Sequence, residues 1–426
     1  TTDIYTLSLH DALPILVKFV KSNIYSTIIL IFLIFHITLP GISIALASIS
    51  FGIWGGMWLI RLIILKSIPD LGYSKNEFKI ISIFFAGFLA MEVISRIFAI
   101  FPDEALISLK RYFLVLVFIG AIDTIKTEDK LKIILASVLI ITSGISLFEI
   151  SMYLIKLPGL ISEGMNLSLN RIDYFIHPLT NAEIKSLLFL SFFPLIFNRD
   201  KNFKKEKLFI TILLIPIFIS LFLTLSRNVY VAISVSFLIY GIFFNKKFLL
   251  YLIPSIVVIW LLLPSPIKTR ILSISDTQFG SNQGRIVMWE TGWKIFLEHP
   301  LIGTGDNEIT EVYKLYKKPE FHGEGSHFHS NPVQLLVTCG IFGFIFFYAF
   351  MLALFLKQIS IYRKLKDIRY KQLVSGTVIA FIAYHVAGFF EWVFGDWEVL
   401  TVFAFISSIS FIILNLENKI NNNQNG

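Results

Sequence analysis

Three short polar segments interrupt an otherwise apolar chain, and each holds residue types able to do chemistry. In Thr224-Leu225-Ser226-Arg227-Asn228, Arg227 stands between two apolar stretches joined with almost no linker. A guanidinium this close to hydrocarbon is costly unless it snorkels or pairs, so Arg227 is either an interfacial arginine or an anion clamp pointing into a cavity. Between positions 284 and 297, Trp289, Trp293 and Phe296 recur at helical spacing. That pattern reads as an amphipathic helix on a membrane surface, anchored by its aromatic rings. Arg285 opens this stretch, where a cation opposes the helix dipole; anion binding explains it better. The third segment, Ser326-His327-Phe328-His329-Ser330-Asn331-Pro332, carries two histidines at i and i+2.

Paired histidines invite a metal, but zinc needs three or four ligands at recognisable spacings. Only His322 and Glu324 lie nearby in the sequence to complete a set. A proton acceptor is the better reading, since histidine titrates near neutrality, at about 6.5. Arginine binds phosphate through a planar fork and stays charged at physiological pH. Two arginines at a bilayer surface suit a diphosphate attached to a lipid tail, with a histidine activating an incoming hydroxyl. This is the chemistry of glycosyl transfer from a lipid-diphosphate donor, in which stabilising the leaving diphosphate is much of the catalysis. No cofactor and no metal is required.

These residues must be positioned by membrane helices. Apolar residues make up 55% of the 426 and charged residues 15%, against about 45–50% and about 25% in soluble domains. Mean hydropathy is +0.75. Apolar stretches fall at roughly 22–39, 42–65, 79–101, 106–122, 131–155, 181–197, 207–225, 228–244, 248–264, 331–356, 371–390 and 397–415. Each is about long enough to span a bilayer, and the strict alternation of a barrel strand is missing. The expected fold is an all-α polytopic membrane protein of about twelve transmembrane helices. Spans 1–9 occupy 17–264 and spans 10–12 occupy 331–416, with one long extramembrane loop, 265–330, between spans 9 and 10.

The net charge of +8 is concentrated in alternate short loops, such as Arg199-Asp200-Lys201 with Lys204, Lys205 and Lys207, and the run from Lys357 to Lys371. By the positive-inside rule these loops and both termini are cytoplasmic, and the long loop lies outside. Topology therefore accounts for the basic balance without nucleic acid. Cys339, the one cysteine, reads as a packing residue. Residues 1–16 look unlike a signal peptide and resemble a non-native leader. The polar tail, 417–426, is expected to be disordered.

Several local patterns resemble the O-antigen ligase / O-antigen polymerase superfamily of bacterial envelope enzymes. They are the T-x-S-R turn ending at Arg227, Gly284-Arg285 with Trp289 as G-R-x-x-x-W, and His299-Pro300-Leu301-Ile302-Gly303-Thr304-Gly305. Then follow His329-Ser330 with Gly340 and Gly343, matching H-[NSQ]-x9-G-x-x-G, and the acidic turn from Phe390-Glu391 to Asp396-Trp397-Glu398. Together they cover 220–400. The resemblance implies a C-type glycosyltransferase of the bacterial inner membrane, with its active site facing the periplasm. It would transfer an undecaprenyl-diphosphate-linked glycan to lipid A-core, inverting and metal-independent. Arg227 and Arg285 would hold the diphosphate and His329 would act as base. Ser226, His327, Trp289, Asn331, Asp396 and Glu391 would contact substrate, the two acids orienting His329 or an arginine. A polymerase, extending one lipid-linked glycan with another, would use the same donor site. A transporter of lipid-linked sugars is the third reading. It would place its basic residues at the midplane of broken helices in two related halves, which the sequence does not show.

Overall fold

The computed structural model describes residues 14, 17–72, 75–102, 107–167, 170–319 and 325–425. The described residues contain helices and no strand. Numbered from Asn23, the helices are α1 (Asn23–Thr38), α2 (Ile44–Ile64), α3 (Lys75–Ile97), α4 (Val115–Thr124), α5 (Glu128–Ser162), α6 (Pro178–Phe192), α7 (Lys204–Leu223) and α8 (Arg227–Ile239). They continue with α9 (Lys246–Leu262), α10 (Ser265–Leu272), α11 (Gly280–Glu298), α12 (Ile309–Tyr316), α13 (Asn331–Lys364), α14 (Ile368–Gly388) and α15 (Trp397–Asn425). Helix is what an apolar run must adopt in lipid, because it satisfies backbone groups within the segment.

Each of the twelve expected stretches is helical, but the count of spans differs. Nine of the described helices are long and apolar enough to cross a membrane, or ten if α9 and α10, bent by 120°, form one broken span. The stretch at 106–122 resolves into a 3-10 segment, Ile107–Leu114, and the ten-residue α4. Helix α14 is 21 residues long, but Arg369, Lys371, Gln372 and His385 dilute its apolar character. The chain is a polytopic membrane protein on this architecture. The polar segment 417–425 is drawn into the end of α15, because a helix already nucleated propagates one bond per residue. The first sixteen residues, Pro14 apart, lie outside the described part.

Helices α6 and α15 run through the middle of the bundle and are almost wholly buried. Helix α13 packs along α3, α14 against α6 and α8, α5 against α7, and α15 against α4. The α6–α14 crossing is close because Gly376 has no side chain: a Cβ there would sit 2.0 Å from the Ser191 carbonyl oxygen. Several charged groups inside the bundle are paired. Glu149 accepts from Asn181 Nδ2 (2.7 Å), from Ser220 Oγ (2.7 Å) and from Lys185. Glu92 pairs with Arg96, which also reaches Asp306 at 3.2 Å. Cys339 is buried and its thiol donates to Glu92.

Beyond α10 the chain builds a second, smaller core from Ile295, Ile309, Val312, Tyr313, Phe328 and Val337. This outer part is fastened to α13 at a kink. Gly340 has φ 62° and ψ −167° inside the helix, a conformation only glycine adopts readily. The kink frees backbone groups that the His299–Gly305 loop takes up. Thr304 N donates to Val337 O (2.8 Å), Gly305 N to Thr338 O (2.9 Å), and Ile341 N to Pro300 O (2.8 Å). The two glycine patterns seen in the sequence are thus the two halves of one backbone interlock.

Candidate active site

The site forms where the α7–α8 turn, the segment before α6, the α10–α11 region, the residues before α13 and the α14–α15 turn meet. The α7–α8 turn is tight enough that Leu225 has a positive φ of 52°. Two arginines hold its carbonyls: Arg171 Nε donates to Thr224 O at 2.8 Å, and Arg270 Nε to Leu225 O at 3.0 Å. Arg171 also donates to Ser226 Oγ at 3.1 Å, and that hydroxyl donates on to Pro178 O. Arg227, the first residue of α8, is buried. Its Nη1 donates to Ser273 O at 2.8 Å and its Nη2 to Ser281 Oγ at 2.5 Å. Its guanidinium lies over the Phe279 ring, 4.6 Å from the centroid, and Arg270 approaches the same ring at 5.5 Å.

Arg285 lies in the second turn of α11, because that helix begins at Gly280 rather than at Gly284. The dipole argument for an anion there therefore falls away. Its Nη2 meets Glu391 Oε2 at 3.2 Å, while its buried Nε has no hydrogen-bond partner. Among the described residues no carboxylate forms an ion pair with Arg171, Arg227 or Arg270. Burial, then the positive charge of Arg270, pulls the Arg171 guanidinium down to about 10. Such a crowd of cations is stabilised by a polyanion.

Glu391 organises the rest. Its Oε1 lies 2.7 Å from His329 Nδ1 and 3.1 Å from His327 Nε2, and accepts from Trp392 N at 3.1 Å. Burial pushes this carboxyl up, but hydrogen bonds from the two histidines and their charge outweigh it and hold it well below the ordinary carboxylate range. His329 sits at a positive φ of 46°, a conformation costly for a side chain of this size and concentrated at functional sites. Its neighbours fix it: Phe328 N donates to Gln334 Oε1 (3.0 Å) and Trp289 Nε1 donates to Phe328 O (2.9 Å). Trp289 is thus a brace for the histidine segment, whereas Trp293 on the same helix is exposed, as an interfacial anchor would be.

The other candidates divide. Asn331 is buried and accepts from Phe394 N at 3.1 Å, tying α13 to the acidic turn. Asp396 accepts from Thr180 Oγ1 at 2.6 Å; of the two acids, Glu391 is the one in contact with His329 and an arginine. Arg171, Arg270 and His177 are additions. His177 starts α6, and burial and then Arg171 lower its pKa. No spacing in the sequence announces these three. The one signal for Arg171 and Arg270 is that they are cations on the sparsely basic side of the chain; His177 has none.

His327, His329 and Glu391 offer three ligand atoms within 4.8 Å of one another and could hold a metal ion. Two imidazoles and a carboxylate are a donor set that suits zinc with an open position. His322 and Glu324, the other possible ligands, lie outside the described residues.

Residues 212–348 match the family model described as O-Antigen ligase. The match runs from within α7 to the kinked part of α13, so it contains Arg227, Arg285, His329 and both glycine patterns; over these residues the chain is similar to the O-antigen ligase family. No curated protein matches the chain.

Proposed function

We propose, from the similarity of residues 212–348 to the O-antigen ligase family, that the protein is a membrane enzyme acting on lipid-linked glycans, and we propose a specific reaction for it. The protein transfers an undecaprenyl-diphosphate-linked glycan to a hydroxyl of lipid A-core, in the bacterial inner membrane and on its periplasmic side. The observation that carries this reading is Glu391 bridging His329 and Arg285. A histidine whose Nδ1–H is held by a carboxylate presents a lone pair on Nε2. It does so beside an arginine cluster suited to a diphosphate.

In this reaction the acceptor hydroxyl attacks the anomeric carbon while its proton passes to His329 Nε2. The bond from that carbon to the diphosphate oxygen breaks, and the charge released is taken up by Arg227 and Arg285, with Arg171 and Arg270 adding to the field. One displacement inverts the anomeric centre. Glu391 orients the imidazole and stabilises the imidazolium. His327, Ser226, Trp289 and Asn331 shape the surroundings. The orientation is supported by chain direction. The basic loops at Arg199–Lys207, Lys246–Lys247 and Lys357–Lys371 lie at the far ends of α7, α8 and α13 from the site, which supports the reading that those loops and both termini are cytoplasmic.

The test is reconstitution of the full chain with the lipid-diphosphate glycan and either lipid A-core or a second lipid-linked glycan. Transfer to lipid A-core is the expected outcome. Exclusive use of the lipid-linked glycan would make the protein a polymerase. Transbilayer movement of the donor without transfer would make it a transporter.

A further inference from the structure

A cavity of about 270 Å³ lies among α3, the 107–124 segment, α13 and α15, on helices that contribute nothing to the arginine cluster. Its walls are apolar, with Phe78, Phe85, Phe118, Phe350, Leu354 and Phe403 typical. The cavity is a partly open recess rather than a sealed void, and apolar walls of this kind favour hydrocarbon over water. A bilayer surrounds these helices, so hydrocarbon is the occupant at hand.

Two polar groups mark one end. The Tyr112 hydroxyl is buried without a hydrogen-bond partner and Tyr112 lines the cavity. Arg111, also lining it, meets Asp306 at 2.5 Å and stacks over Trp392 at 5.8 Å. Trp392 follows Glu391, and Phe394 of the same turn forms part of the cavity wall. The cavity therefore abuts the turn that holds His329, from the side away from α7, α8 and α10.

We propose that this cavity holds one hydrocarbon chain of the lipid acceptor, with Tyr112 donating to an oxygen at the start of that chain. The inference rests on the glycosyl-transfer reading. The donor's chain leaves from a diphosphate held by residues of α8 and α11, so a chain seated among α3, α4, α13 and α15 belongs to a second lipid. Donor and acceptor then approach His329 from opposite flanks of the Glu391 turn.

The experiment uses the full-length protein in nanodiscs with two photoreactive lipids, an acyl glycolipid and a polyprenyl phosphate, and maps labelled residues by mass spectrometry. The acyl probe is expected to label the cavity walls of α3 and α15, and Ala404→Trp, which fills the cavity, to abolish that labelling. Ser82→Phe provides a second filling variant from the opposite wall, should the first fail to fold. Labelling of the cavity by the polyprenyl probe, or acyl labelling indifferent to both variants, overturns the proposal. Where transfer is measurable, the filled variants should raise the acceptor KM and leave the donor KM unchanged; the reverse split also overturns it. Labelling needs no turnover, so a protein that binds the acyl probe here yet transfers no glycan would refute the reaction and not the pocket.

Discussion

His329 and Glu391 are joined by a 2.7 Å hydrogen bond through Nδ1, and the second oxygen of the same carboxylate faces Arg285 at 3.2 Å. One acid thus fixes the orientation of the proposed base and of one proposed phosphate ligand. Replacing His329 by Ala should reduce glycan transfer by roughly 10²- to 10⁴-fold, the span of general-base contributions, with normal protein level in the membrane. Transfer that survives intact would remove the base from the mechanism.

Glu391→Gln should slow transfer less than His329→Ala, because an amide oxygen can still accept from Nδ1. The variant also has a pH signature. The Glu391 carboxyl is depressed on folding, so its stabilisation is present above the unfolded value of about 4.3 and is lost as pH falls through the folded one. The melting temperature of the variant should lie below that of the parent protein near neutrality, and the two should converge only in strong acid. A gap independent of pH down to strong acid would contradict this.

Arg227→Lys keeps the charge and loses the fork that spans Ser273 and Ser281. Loss of transfer by roughly ten- to a hundredfold is expected, the scale of a charge-assisted hydrogen bond worth about 1.5–3 kcal/mol. The loss should fall on donor use. Full activity in the lysine variant would count against a bidentate phosphate ligand at this position.

Chelation separates the two readings of the His327–His329–Glu391 cluster. Transfer should be unaffected by EDTA. Activity that is lost with chelator and restored by zinc would make these three residues metal ligands.

The Glu149–Lys185 pair is buried between α5 and α6, with Ser220 and Asn181 completing its hydrogen bonds. Lys185→Met leaves a carboxylate without its counter-charge and should cost about 3–5 kcal/mol of stability. The double change Lys185→Met with Glu149→Leu should recover much of it. Thermal unfolding in detergent would show a double variant no better than the single one if the pair were not coupled.

The helices were legible in the sequence because lipid imposes one backbone solution on an apolar run, as α1, α2 and α5 show. The span count was not. Whether the 107–124 region crosses as one helix depends on where its 3-10 segment ends, and composition carries no trace of that. Arg227, Arg285 and His329 could be found because each sits in a local pattern at odds with its surroundings. Arg171 and Arg270 could not, since only the return of 170–177 and α10 to the α7–α8 turn brings them there. The two acids of the 390–398 turn are indistinguishable in one dimension. Packing sends Glu391 to the histidines and Asp396 to Thr180.

The kink at Gly340 sets a boundary in an unexpected place. The first turns of α13 share backbone hydrogen bonds with the His299–Gly305 loop, and Val337 belongs to the outer apolar core. Mechanically, the outer unit therefore ends partway down the helix rather than at its mouth, and His329 rides on a lever whose fulcrum is a residue without a side chain. The loop that follows α11 and the turns of α13 just after His329 are thus joined by backbone hydrogen bonds into one unit.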